Sequence, residues 1–238
     1  MTLGLGLSWV LTEVAFKRPL APAGCHWCQV NEFDTAIRRN FNPTLTGSLS
    51  GVVGYDIASN IVSLAAMPLL LFGLDALAER NGSPTWATQW AADLNIIAEA
   101  TFAAMAVNQL VKFSVGRARP YTINESNTFL ATAADRDDQN LSFYSGHTTF
   151  AVSLAVSAGV VATLRGFKYA WVTWAVGLPL ATATAVLRLA ADKHWATDII
   201  VGAAVGSAFA VALPLVFHGQ RNVRVGVQPG GVSVSGTF

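Results

Sequence analysis

The chain has 238 residues, of which 53% are hydrophobic and 12% charged, with a mean hydropathy of +0.44. An ordinary soluble domain carries about 25% charged residues, so composition excludes a water-covered globule and length argues for one domain. Fifteen Lys and Arg against 14 Asp and Glu leave a net charge of +1, with no basic surface for nucleic acid or another polyanion.

A membrane-spanning helix needs about 20 mainly apolar residues. The first apolar stretch, Thr2–Phe16, is short and holds Glu13. It reads as a tilted span, an interfacial helix or a signal-peptide remnant, the last lacking a basic start and a small-residue cleavage site. The mixed segment Lys17–Tyr55 follows, with Cys25-His26-Trp27-Cys28 and the pair Arg38-Arg39. A single Cys-x-x-Cys is a weak zinc signal. On an extracytoplasmic loop it reads as a local disulfide, and elsewhere as free thiols.

Five stretches are then expected to span a bilayer: Ile57–Leu77, Leu94–Val115, Thr148–Leu164, Tyr169–Leu189 and Asp198–Phe217. The second carries Glu99, Asn108, Gln109 and Lys112, so it is expected inside the bundle, with the first three joining helices. Gly116–Gly146 is polar, and its run Asp135-Arg136-Asp137-Asp138 reads as a solvated loop or a fence at its rim. From Val223 the tail alternates valine with small or polar residues around Pro229-Gly230-Gly231, the pattern of a β-hairpin. The expected fold is an all-α polytopic membrane bundle of five to six spans with a short C-terminal β-hairpin. Residues 1–56 would form the N-terminal helix and extramembrane loop, 57–217 the transmembrane bundle, and 218–238 the tail.

Three polar patches lie where the expected spans end. Lys112 precedes Arg119-Pro120 by seven residues, two helical turns, which puts both cations on one face. Tyr144-Ser145-Gly146-His147 opens the third span. Arg188, His194 and Asp198 flank the last connection, with the carboxylate four residues after the imidazole and in reach of a ring nitrogen. Because successive spans reverse direction, the exit, entrance, exit and entrance all fall at one end of the bundle. Three cations, a serine and a glycine amide form a cage for a tetrahedral anion. Two histidines add a nucleophile and a proton donor. No acidic ligand set has metal spacing, so phosphoryl transfer with cations in place of a metal is the economical reading. Arg117 falls off the Lys112 face and reads as a lipid-headgroup or secondary substrate contact. Asp192 and Lys193 read as loop solvation.

The three patches resemble the motifs of the type 2 phosphatidic acid phosphatase superfamily, which shares its site with vanadium haloperoxidases: Lys-x6-Arg-Pro, Pro-Ser-Gly-His and Ser-Arg-x5-His-x3-Asp. The resemblance implies a membrane lipid phosphate phosphatase with no cofactor. His194 would become phosphohistidine while Asp198 fixes its tautomer. His147 would protonate the leaving alcohol and then deprotonate water. Lys112, Arg119, Arg188, Ser145 and the Gly146 amide would hold the phosphate oxygens. Tyr144 replaces the motif's proline and Leu187 its serine, which implies altered loop shape or substrate preference. A lipid phosphotransferase and a vanadate-dependent haloperoxidase are the alternatives. Partners are a lipid phosphate and membrane lipids, with no oligomeric state implied. The resemblance places the protein in a bacterial inner membrane with its site on the extracytoplasmic face.

Overall fold

The computed structural model describes residues 1–41, 49–82, 84–123, 137–218, 224–228 and 231–235. The helices in chain order are α1 (Thr2–Val14), α2 (Lys17–Leu20), α3 (Glu32–Phe41), α4 (Leu49–Ile61), α5 (Met67–Gly82), α6 (Trp86–Val115), α7 (Gly146–Leu164), α8 (Ala170–Ala190) and α9 (Ala196–Leu213). A π-helical turn, Val62–Ala66, joins α4 to α5. In the tail, Arg224–Gln228 pairs antiparallel with Gly231–Ser235; Pro229 and Gly230 lie outside the described residues, as do Asp135 and Arg136.

Among the described residues, five stretches are long and apolar enough to cross a bilayer: Val52–Asn81, Trp86–Val115, Gly146–Leu164, Ala170–Ala190 and Ala196–Val216. The first two are longer than sequence suggested, and α4 runs through the 56/57 boundary. The extensions take in Asp56, which pairs with buried Arg188, and Asp93, which is itself buried and pairs with Arg165. Thirteen-residue α1 spans only about 20 Å at 1.5 Å per residue, too short to cross upright. It packs beside α6, with Trp9 against Phe102 and Phe150.

The central helix is α7. Some 72% of its apolar window is buried, against 22–39% for the other spans. Its small residues allow this close packing. Ala151, Ala155 and Ala158 join Met67, Leu71, Ile97, Met105, Phe150 and Leu154 in the main apolar cluster. Helix ends follow local chemistry. Gly116, in the left-handed region at φ 59°, terminates α6, and Gly166 at φ 69° follows α7. At the end of the bundle holding the starts of α5's neighbour α6 and the finish of α7, Arg165 forms a two-nitrogen ion pair with buried Asp93. The opposite end gathers the starts of α4, α7 and α9 and the finishes of α6 and α8, and there the three polar patches meet.

Candidate active site

Each patch is positioned by the end of a different element. The left-handed turn at Gly116 takes the chain out of α6, so Arg119 lies beyond the helix. Lys112 and Arg119 therefore do not share a helical face as expected, although both side chains are buried at the same end. Arg119 donates from Nε to Asp138 O at 2.8 Å, from NH2 to Asp138 Oδ1 at 2.9 Å and from NH1 to Lys193 O at 2.8 Å. That geometry leaves NH1 3.4 Å from His194 Nε2. Lys112 Nζ lies over the start of α7: a methyl on Gly146 would stand 3.2 Å from it and 3.0 Å from Asn108 Oδ1. A side chain there would crowd both groups.

Ser145 is the N-cap of α7. Its hydroxyl sits 3.4 Å from Thr148 N and 3.0 Å from Thr148 Oγ1. Its backbone N–H donates to Asp198 O at 3.1 Å, tying α7 to α9. The Gly146 amide opens the helix, where the dipole favours an anion. His147 Nε2 is 2.6 Å from Asn60 Oδ1, so α4 orients that ring. Arg188, at the finish of α8, pairs with Asp56 Oδ1 and donates to Ser59 Oγ at 3.1 Å, both on α4. Its Nε is buried without a partner among the described residues.

His194 and Trp195 precede α9, so the His194–Asp198 contact is not the helical one expected, although the carboxylate still comes near the ring. Asp198 instead caps the helix, accepting from Trp195 N at 2.9 Å and Ser142 Oγ at 2.5 Å. Its Oδ2 is 3.8 Å from His194 Nδ1, beyond hydrogen-bond range but close enough for charge to act. The Ser142 carbonyl accepts from His194 Nδ1 at 2.8 Å.

Three other expectations are corrected. Arg117 is no headgroup contact: it is 1% exposed and pairs with Asp34 at 2.6 Å and Asp198 at 2.5 Å, beneath the Trp27 ring. Asp192 is not loop solvation but a buried acceptor for Arg38 Nε and NH2 at 2.8 and 2.7 Å. Asp138 is no solvated acid, since it binds Arg119 and Lys17 Nζ, the latter at 2.7 Å. Gln109 joins α6 to α1 through Glu13 Oε1 at 2.7 Å, as expected, whereas Asn108 ties α6 to the loop before α7 by donating to Tyr144 O at 2.7 Å. Glu13 also lies 3.5 Å from Lys112 Nζ, which brings α1 to the site. Cys25 and Cys28 form a disulfide in the loop that bonds to Gly116. Among the described residues no three His, Cys, Asp or Glu side chains converge as a metal-ligand set.

Asp56, Ser59 and Asn60 escaped the sequence reading, although polar residues in an otherwise apolar span are a usable signal. Asp34 and Ser142 carried no comparable signal.

Burial, then the positive charges of Arg119, Arg188 and Lys112, with His147 behind them, holds the His194 pKa well below its ordinary value. At Asp138 burial pushes upward, but Arg119, Lys17 and Lys112 outweigh it and hold the carboxyl well below the usual range. Burial raises Tyr144 to about 12.

Membrane-length helices closing over buried cations and two histidines define an integral membrane protein with a polar centre at one end of its bundle. A model of the PAP2 superfamily matches residues 93–222, more than half the chain and all three patches. The chain belongs to the PAP2 superfamily, and is an integral membrane phosphatase by that membership. Among solved structures it is similar to a transmembrane PAP2-type phosphatidylglycerolphosphate phosphatase from Bacillus subtilis. Identity is 16%, with 89% of this chain and 93% of that chain covered and a TM-score of 0.52, a likeness of fold. No curated protein matches the chain.

Proposed function

We propose that this phosphatase hydrolyses a lipid phosphate monoester or diphosphate through a phosphohistidine on His194, without a metal. The observation that carries the reading is the orientation of His194. A carbonyl can only accept, so Nδ1 holds the proton and Nε2 presents its lone pair beside the Arg119 guanidinium. Nε2 attacks phosphorus as its bond to the lipid alcohol, or to the lipid phosphate of a diphosphate, breaks, and His147 gives the leaving oxygen its proton. Water then attacks phosphorus while His147 takes a proton from it, the N–P bond breaks, and inorganic phosphate leaves.

Lys112, Arg119 and Arg188 stabilise the charge on the non-bridging oxygens in the role a metal fills elsewhere. The buried, unpartnered Nε of Arg188 supplies one donor for them. The Gly146 amide supplies another at the start of α7. Ser145 joins them if its hydroxyl turns from the helix cap. Asp198 stabilises the cationic imidazole through space. A lipid substrate fits a site at the helix ends, within reach of a headgroup whose acyl chains stay in the bilayer. We place the site on the extracytoplasmic face of a bacterial inner membrane; the Cys25–Cys28 disulfide at the same end supports an oxidising compartment. Residues 17–41 would serve as the extramembrane cover of the site, with α1 packed along α6 and the first span beginning at Val52.

The test is phosphate release from a panel of lipid phosphates in detergent with EDTA present. Wild type should turn over at least one lipid, His194→Ala should be inactive, and His147→Ala should be slowed at least 100-fold. Loss of wild-type activity on chelation would overturn the metal-free mechanism.

A further inference from the structure

Asp34 comes from α3, outside the region matched by the family, yet it is fully buried against the start of α9. Oδ1 accepts from Thr197 N at 2.9 Å, capping the helix from 163 residues away in sequence. Oδ2 accepts from Thr197 Oγ1 at 2.7 Å, Asn31 Nδ2 at 2.7 Å and Arg117 NH2 at 2.6 Å. Arg117 NH1 turns the other way, to Asp198 Oδ1 at 2.5 Å. One cation thus lies between two carboxylates, and the buried trio carries a net charge of −1. With Asp198 as its sole partner, Arg117 would neutralise the carboxylate nearest His194.

We propose that Asp34 is a positioning residue for the nucleophile: it shares the charge of Arg117, so that Asp198 keeps negative charge directed at His194. The inference rests on His194 being the nucleophile. An imidazole that attacks phosphorus becomes cationic, and the carboxylate 3.8 Å away stabilises it only to the extent that Arg117 leaves it charge. The other groups facing His194 are Arg119 after α6, Lys112 on α6, His147 on α7, Arg188 on α8 and the adjacent Lys193. Asp138 lies on Arg119, and Asp192 is bound by Arg38 of α3. Cations dominate that list, and Asp198, 3.8 Å from Nδ1, is the carboxylate that contacts the ring.

The experiment is the pH profile of kcat/KM for full-length wild type, Asp34→Asn, Asp34→Glu and Arg117→Gln in detergent, with thermal midpoints measured alongside. Asp34→Asn keeps an acceptor for Thr197 N and loses the charge. Its kcat should fall about 10–100-fold with KM within about twofold, and its acid limb should move to lower pH by about one unit. Asp34→Glu should restore the limb. Arg117→Gln leaves both carboxylates without their cation, so its limb should move to higher pH, and it decides the matter if Asp34→Asn does not fold. A limb that stays in place in Arg117→Gln, or in a folded Asp34→Asn, would reduce Asp34 to a helix cap and overturn the inference. His194→Ala run in parallel separates the two levels. If it retains activity, the nucleophile assignment falls as well. If it is inactive while the limbs stay in place, only the role of Asp34 falls.

Discussion

At His194 the proposed chemistry turns on which ring nitrogen holds the proton, and the Ser142 carbonyl settles that locally by accepting from Nδ1. The ring's pKa in the folded protein is depressed by burial and by its cationic neighbours. The unfolded chain therefore takes up this proton first. Stability from the neutral ring is complete above an unfolded pKa of about 6.5 and is lost as pH falls below it. The thermal midpoint in detergent should fall between pH 7 and pH 5, and fall less in His194→Gln. Asp138 also has a depressed pKa, so its contribution is complete above about pH 4 and lost only in stronger acid. Its carboxylate occupies Arg119 and Lys17, which an anionic ligand would have to share. Asp138→Asn should tighten inhibition by vanadate about tenfold between pH 5 and pH 8. Unchanged inhibition would show that Asp138 does not compete. The motif residues were legible because spacing and charge mark them. Their partners were not, because Asp34 and Ser142 gain meaning only once distant segments fold onto α9.

At the scale of elements, the site depends on how closely α9 approaches α7. A methyl on Gly202 would lie 2.8 Å from Ser145 O, and one on Gly206 would lie 2.8 Å from Thr149 O. Both contacts are with backbone, which cannot rotate away. Gly202 and Gly206 are four residues apart, the small-residue spacing by which membrane helices approach closely. Gly202→Val should cost about 1–3 kcal/mol of stability and at least tenfold in kcat, because Ser145 N–H and Asp198 O are joined across this seam. Wild-type kcat in a folded Gly202→Val would show that the seam does not set the site. On the other flank, α4 holds Arg188 through Asp56 and His147 through Asn60. Asp56→Asn should lower kcat/KM about tenfold or more, since it removes the charge that fixes Arg188. Hydropathy made the apolar middle of each span legible. It stopped short at the starts of α4 and α6, where Asp56 and Asp93 lower the local hydropathy although each is ion-paired, to Arg188 and Arg165 respectively.

Across the whole molecule, five spans with alternating direction were enough to predict that the patches share one end, and the structure brings them there. Arg119 meets His194, Lys112 covers Gly146, and the charge of Arg188 acts on His194. Sequence alone did not show that the N-terminal segment belongs to this centre. Glu13, Asp34 and Arg38 reach it from α1 and α3, over sequence separations that spacing arguments cannot bridge. Because α9 starts at the site and runs the length of a span, its finish lies on the side away from the site. A fluorescent protein fused after Phe238 should fold and fluoresce in the cytoplasm, whereas a secreted alkaline phosphatase fused there should be inactive. The reverse pattern would invert the proposed orientation. The most direct measurement for the central claim is trapping of the covalent intermediate: mix wild type with a ³²P-labelled lipid phosphate, quench in alkali, and map the label. The account predicts label on His194 and none in His194→Ala. Label on another residue, or a His194→Ala variant releasing phosphate at the wild-type rate, would contradict it.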